Sequence, residues 1–275
     1  MDYKKILTIQ DISCLGQCSL TVAHPILSAC GHETVILPSA VLSTHTGGFK
    51  GFTFRDLTDD IPLIQKHWQS EGIKFDAIYT GYLGSLKQID YVADIYATMG
   101  KENAPVICDP AMADNGVLYS IFDTTYAKAM AKLCAKADIV LPNITEACFM
   151  TDYEYKESYD EAYVKGLCKA MEDIGIKTIV LTGVSYTPDT IGIVIYDKGE
   201  YSYYCHEKLG KGCHGTGDIY ASVFTGAYMR GHSLFDSAKI AGDFVLECIK
   251  LTSKDPDHWY GAKFEPLLGD LIKTL

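Results

Sequence analysis

The feature that most narrows the folds open to this chain is a repeated pairing. A strand-sized apolar run is followed by a helix-sized amphipathic one, with glycine or proline between them. Lys4 to Gln10 (KKILTIQ) reads as a strand, and Ser19 to Cys30 as a helix that stops at Gly31. ETVILP is the next strand, and the helix expected after it runs from Arg55 to Glu71 and ends at Gly72. FDAIYTGYL, APVICDP, ADIVLPN and KTIVLTG continue the strands; Lys87 to Met99, Thr124 to Ala135, Thr145 to Thr151 and Asp160 to Ile174 supply further helices. Apolar strands alternating with helices over short connections predict a mostly parallel sheet with helices on both faces. DTIGIVIYD and EYSYYCHEK, separated by KG, break the rhythm and read as an antiparallel hairpin at the sheet edge. The expected fold is a three-layer α/β/α arrangement, with residues 1–275 forming a single domain.

Composition restricts partners and compartment. Hydrophobic residues at 48% and charged residues at 21% are ordinary for a globular chain with a sizeable core. The N-terminal MDYKKILTIQ lacks the apolar stretch of a signal peptide and the longest apolar runs are strand-sized, so a cytoplasmic location is expected, with no membrane partner. A net charge of −11 argues against nucleic acid, although backbone amides and a metal ion can still bind phosphate locally. The ten cysteines are scattered and expected to be reduced; Cys14 and Cys18, without a second pair or clustered histidines, do not make a zinc site.

In open α/β sheets, ligands bind beyond the carboxyl ends of the strands. The residues that follow the strands here are Asp11, Thr44 to Gly48, Gly81 with Tyr82, Asp109, Asn143 with Glu146, Thr182 with Gly183, and the loop GKGCHGTGD at 210–218. Nearly all the conspicuous polar and glycine positions fall in this one set.

Each group admits a chemical and a plainer reading. Gly215, Thr216 and Gly217 open a helix, where unpaired N–H groups could bind an oxyanion, and Asp218 beside them could take a proton from a substrate hydroxyl. The plainer reading makes Asp218 a helix cap and the glycines a tight turn. Asn143 and Glu146 lie on one face of a helix start and suit a hydrated Mg²⁺, with Asp109 holding its water; equally, the pair forms a capping arrangement. His45 and Thr46 could hydrogen-bond a small polar ring, or belong to an ordinary surface loop. Tyr82 and Tyr119 could wall in an aromatic substrate, though with 19 tyrosines in the chain either could be packing. There is no GxxxxGK[ST] loop and no dinucleotide fingerprint after the first strand.

Taken together, the motifs resemble a known family. HGTGD ahead of a helix is similar to the signature of the ribokinase superfamily. QDISCLGQCSLTVAHPILSACG, ILPSAVLSTHTGGF, GYLGS, CDPAMADNG and LPNITEA resemble its pyridoxal kinase branch, over residues 4 to 250 or so. The resemblance implies a ribokinase-like fold and ATP-dependent phosphorylation of the 5′-hydroxymethyl group of pyridoxal, pyridoxine or pyridoxamine. It implies Asp218 as catalytic base and Gly215 to Gly217 as anion hole. Asp109, Asn143 and Glu146 would arrange Mg²⁺, through water, and the ATP phosphates. Thr182 would lie near the nucleotide phosphates, and Lys208, with Lys211, is placed to close over ATP. His45, Thr46 and Tyr82 would surround the pyridine ring, and Tyr119 would belong to a flap. Members are commonly homodimers, and many respond to a monovalent cation such as K⁺.

Two departures stand out. Asp11 in QDI replaces a serine found in many members, and a carboxylate there could pair with a protonated ring or an amine, tilting preference toward pyridoxamine. Leu141 stands where some members carry Thr, removing a possible nucleotide contact. Cys213 is not expected to act as a nucleophile. The rival readings are a hydroxymethylpyrimidine or sugar kinase of the same superfamily and a non-catalytic nucleotide- or vitamin-binding protein; the retained Asp218 weighs against the last.

Overall fold

The computed structural model describes residues 3–210 and 212–275. β1 (Lys5–Ser13) leads through α1 (Leu20–Ala29) to β2 (Glu33–Leu42), and the chain returns as β3 (Phe54–Asp56) before α2 (Ile61–Ser70). Next come β4 (Ala77–Thr80), α3 (Leu86–Thr98) and β5 (Val106–Cys108). A separate small hairpin, β6 (Ala113–Asp114) with β7 (Val117–Leu118), precedes α4 (Thr124–Cys134), β8 (Ile139–Val140), α5 (Ile144–Thr151) and α6 (Glu161–Asp173). β9 (Thr178–Val184), β10 (Thr190–Asp197) and β11 (Glu200–Glu207) follow, then α7 (Thr216–Met229), α8 (Leu234–Thr252) and α9 (Leu268–Thr274).

The strands form one nine-stranded sheet in the order β11-β10-β9-β8-β5-β4-β1-β2-β3. From β9 to β2 every neighbouring pair is parallel, and both edges are antiparallel. Because successive side chains of a strand point to opposite faces, each central strand feeds two cores. Ile6, Ala77, Tyr79, Ile107, Ile139 and Val180 pack with α1, α7, α8 and α9. Their neighbours Leu7, Ile78, Val106, Val140 and Ile179 pack with α2 to α6. This is why the central strands read as unbroken apolar runs, and it makes the fold a three-layer one.

The expected edge hairpin is β10 paired with β11. Lys198 and Gly199 both have positive φ, 51° and 84°, as a two-residue hairpin turn requires. The helix expected from Arg55 begins instead at Ile61. Phe54 to Asp56 pair antiparallel with Leu42 to Ala40, and a proline in the first turn of α2 fixes where that helix starts. No helix among the described residues is long and apolar enough to cross a membrane.

Candidate active site

Four loops meet beyond the carboxyl ends of the central strands: the β1–α1 turn, the β2–β3 loop, the α7 entry, and the segment after α8. Glycines mark the contacts, because a Cβ would collide with the facing loop. A Cβ on Gly16 would strike the His45 ring, one on Gly47 the His214 ring, and one on Gly261 the Gln17 side chain. His45 Nδ1 accepts the Gly47 N–H at 3.0 Å, so the ring proton is on Nε2, which donates to the Tyr260 carbonyl at 2.6 Å. Ala262 N–H donates to the His214 carbonyl at 3.1 Å, closing the ring of loops.

α7 starts with Gly215 in the left-handed region, φ 78°, and no side chain caps it. Its first-turn N–H groups therefore remain for a ligand. Asp218 stands in that turn, half-buried, and burial pushes its carboxyl up to about 7; the Ser19 backbone N–H works the other way, and the charge of Asp11 adds to the rise. A helix cap would hold a carboxylate well below neutrality, so the raised pKa of Asp218 does not fit the capping reading.

Asp11, at the end of β1, is only 4% exposed. Burial raises its pKa, while hydroxyls of Ser19 and Ser13, the latter at 2.9 Å, favour its charged form. Among the described residues no lysine or arginine pairs with it. Tyr82 is beside it: burial, then the Asp11 charge, push its phenol up to about 12. Asp11, His45 and Tyr82 thus lie close to one another, and the charge of Asp11 reaches Asp218. Both ring nitrogens of His45 are taken by backbone groups.

Asp109 and Glu146 are 8% and 3% exposed. Burial, then the charges of Glu146 and Asp218, raise Asp109 well above the usual carboxylate range. Burial pushes Glu146 up to about 8, against the pull of backbone N–H groups. Asn143 and Glu146 form a full capping box at the start of α5: Asn143 Oδ1 accepts from Glu146 N, and Glu146 Oε2 accepts from Asn143 N, each at 2.9 Å. Both side chains also hold the loop that leads into the β6–β7 hairpin, through Met112 N to Glu146 Oε1 at 3.1 Å and Asn143 Nδ2 to the Ala113 carbonyl at 2.8 Å. Asp109 and Glu146 are thus two buried acids close enough to feel each other's charge, although no group of three or more His, Cys, Asp or Glu side chains that could hold a metal ion occurs among the described residues. Glu146, Asp109 and Asp218 all raise the Tyr119 phenol after burial does, so this tyrosine beyond β7 lies within reach of the charges of the same acids.

The remaining expected residues are more peripheral. Thr182 bridges to Asn143 in parallel pairing and donates to the Pro142 carbonyl through N–H at 2.8 Å. Thr46 is exposed on its loop. Lys208 is exposed beyond β11, its N–H bonded to the Asp189 carbonyl at 2.8 Å, and Lys211 lies outside the described residues. Ser19, Gln17, His214 and Tyr260 complete the site, and no local pattern in the sequence marks them for it. The contacts of Gln17 and Tyr260 join loops some 200 residues apart in sequence; a serine before a helix otherwise reads as an ordinary cap.

The phosphomethylpyrimidine kinase family profile matches residues 29–262 of the 275. The chain belongs to that family. Among solved structures, this kinase is similar to a Bacteroides thetaiotaomicron protein provisionally assigned as a phosphomethylpyrimidine kinase, in an orthorhombic form with pyridoxal. The identity is 37% and the TM-score 0.93, over 98% of this chain and 96% of that one. It is also similar to the pyridoxal kinase of Lactobacillus plantarum, at 28% identity and TM-score 0.92 over 99% and 98% of the two chains. Pyridoxal kinase PdxY of Corynebacterium diphtheriae is 25% identical over 256 residues, 90% of this chain and 89% of its own. The resemblance to B6 kinases of the ribokinase superfamily therefore stands, and the protein is an enzyme of the kinase class that uses a nucleotide.

Proposed function

We propose that this kinase transfers the γ-phosphoryl group of ATP to the 5′-hydroxymethyl oxygen of a vitamin B6 vitamer. The observation that carries the reading is the place of Asp218. The charge of Asp11, which lies by His45 and Tyr82, reaches Asp218, and the charge of Asp218 reaches the buried Asp109, which lies by Glu146. A flat ring beside Asp11, His45 and Tyr82 would set its hydroxymethyl group at Asp218, and a triphosphate beside Asp109 and Glu146 would reach the same point.

Asp218 then takes the hydroxyl proton as the oxygen forms its bond to the γ-phosphorus, and the bond from that phosphorus to the β–γ bridging oxygen breaks to release ADP. The N–H groups of Gly215, Thr216 and Gly217 hold the equatorial oxygens in the charge-spread transition state. A Cβ placed on Gly217 would meet nothing within 4 Å, so the backbone there is open to close approach by a ligand. Mg²⁺, held by Asp109 and Glu146 with Asn143 through water, would neutralise charge on the phosphates. Thr182 and Lys208 would contact the nucleotide, and Tyr119 would shield the reacting groups from water.

Phosphorylation of hydroxymethylpyrimidine is the second reading, favoured by the family match and by Asp11, which can accept a hydrogen bond from an exocyclic amine. Incubating the protein with Mg-ATP and pyridoxal, and following pyridoxal 5′-phosphate by its absorbance, tests the first reading. Product from the wild type and none from Asp218→Asn is expected; no product from the wild type with any B6 vitamer would reject it.

A further inference from the structure

Ser85 and Gln88 stand three apart at the start of α3, the spacing of a capping box, in which the later side chain reaches back to the N–H of the cap residue. Ser85 plays its part, its hydroxyl accepting from Gln88 N at 3.3 Å. Gln88 does not. Its Oε1 reaches past the cap and accepts the Gly84 N–H at 2.7 Å, which fixes the amide's orientation and leaves Nε2 as the donor end. Nε2 donates away from α3, to the Ser39 carbonyl of β2 at 3.1 Å, to Thr58 Oγ1 at 2.8 Å and to Asp56 Oδ1 at 3.2 Å. The Ser39 carbonyl also accepts from Leu57 N at 3.0 Å, and Asp56 Oδ1 from Thr58 N at 3.0 Å and from Thr58 Oγ1 at 2.6 Å, so each keeps a partner without Gln88. Gln88 is 1% exposed, so its amide is spent wholly on these contacts.

The two segments that Gln88 joins carry residues from both sides of the expected ring site. Gly84 belongs to the turn after β4, which bears Tyr82. Ile9 pairs with Thr80, and Gly81 N donates to the Ile9 carbonyl at 3.1 Å, so Tyr82 leaves the sheet next to Asp11. Ser39, Asp56 and Thr58 lie at the foot of the arm made by β2, β3 and the loop between them, which bears His45 and Thr46. A second link between turn and arm, from Ser39 Oγ to the Tyr82 carbonyl, is 3.5 Å long and therefore weak. We propose that Gln88 is a positioning residue that holds the Tyr82 turn against the His45 arm and so sets how the two grip the vitamer ring. This rests on the B6 reading of the site. Gln88 acts through these two segments on ring binding, and not on proton transfer at Asp218 or on ATP.

The decisive variant is Gln88→Met, which keeps the length of the side chain and removes both polar ends. With Mg-ATP and pyridoxal it should raise KM for pyridoxal about tenfold, the size of one or two net hydrogen bonds, while kcat and KM for ATP stay within about twofold. Thr58→Val removes a single acceptor of the same amide and disturbs the fold less; it should show the same split at about threefold. A residue that served stability alone would lower the unfolding temperature and leave the ratio of the two KM values unchanged. That result, or KM values for pyridoxal and ATP that rise together, would overturn the proposal. Independently of turnover, amide hydrogen exchange in ligand-free Gln88→Met should quicken at residues 81–85 and 42–54 together and stay unchanged in α5. Quickening in only one of the two segments would overturn the link between them. A wild type inert toward every vitamer would instead overturn the assigned reaction, while the exchange pattern would still decide whether Gln88 couples the turn to the arm.

Discussion

Gly215 lies directly against the main-chain carbonyl of Gln17: a Cβ on Gly215 would stand 1.7 Å from that oxygen. The contact locks the entry of α7 to the turn after β1, and so sets Asp218 beside Asp11. Backbone cannot yield to a methyl group as a flexible side chain can, and Gly215 also needs φ 78°. Gly215→Ala should therefore lower the unfolding temperature by several degrees, with a strain of about 1–3 kcal/mol from the conformation alone. Gly217→Ala, which meets nothing within 4 Å, should keep its unfolding temperature and lose kcat, because the methyl group enters the space of the phosphoryl oxygens. Thermal unfolding and steady-state rates measured on both variants separate the two glycines; full kcat in Gly217→Ala would remove its amide from the anion hole.

The acids of the site stabilise the folded protein when neutral. Asp218 titrates at about 7 and Glu146 at about 8, both above their unfolded values near 3.8 and 4.5. Between those limits the folded state binds more protons than the unfolded one, so stability is greatest at the low end, falls steadily as pH rises toward 7 to 8 and levels off above. The ligand-free protein should lose unfolding temperature from about pH 4.5 to about pH 8, and Asp218→Asn should flatten part of that slope. A wild-type profile flat over this range would contradict burial of the acids.

Glu146 has two duties that one substitution can separate. Removing the capping box by Glu146→Ala should cost about 0.5–2 kcal/mol of stability. If the carboxylate also serves the metal, the variant should need more Mg²⁺ for half-maximal rate as well as turning over more slowly. Mg²⁺ titrations at saturating ATP give the answer: an unaltered Mg²⁺ requirement would confine Glu146 to its role at the start of α5.

Asp11 should set vitamer preference. With no lysine or arginine of the described residues paired to it, the buried carboxylate can accept a cationic ring nitrogen or amine. Asp11→Ser should lower kcat/KM for pyridoxamine more than for pyridoxal, by roughly tenfold, the size of one charge-assisted hydrogen bond. Equal losses across pyridoxal, pyridoxine and pyridoxamine would assign Asp11 a structural role alone.

The layered fold is legible in the sequence because burial on both faces leaves its mark on each central strand, as in KKILTIQ and KTIVLTG. β3 is not, since all three of its residues are exposed and its pairing is set by β2 rather than by its own pattern. The carboxyl-end rule by itself gathers Asp11, Asp109, Asn143, Glu146 and Asp218 at one end of the sheet. It cannot say that Asn143 and Glu146 close a capping box and grip the segment before β6, nor that backbone groups occupy both nitrogens of His45. Those facts depend on which distant loops touch.

The most direct test of the central claim is the rate of ADP release from Mg-ATP with pyridoxal, pyridoxine, pyridoxamine, hydroxymethylpyrimidine and ribose, for the wild type and Asp218→Asn. A kcat/KM highest for a B6 vitamer, with kcat about 10²–10⁴ lower in Asp218→Asn while ATP still binds, is the predicted result. Full turnover by Asp218→Asn, or turnover confined to ribose, would contradict it.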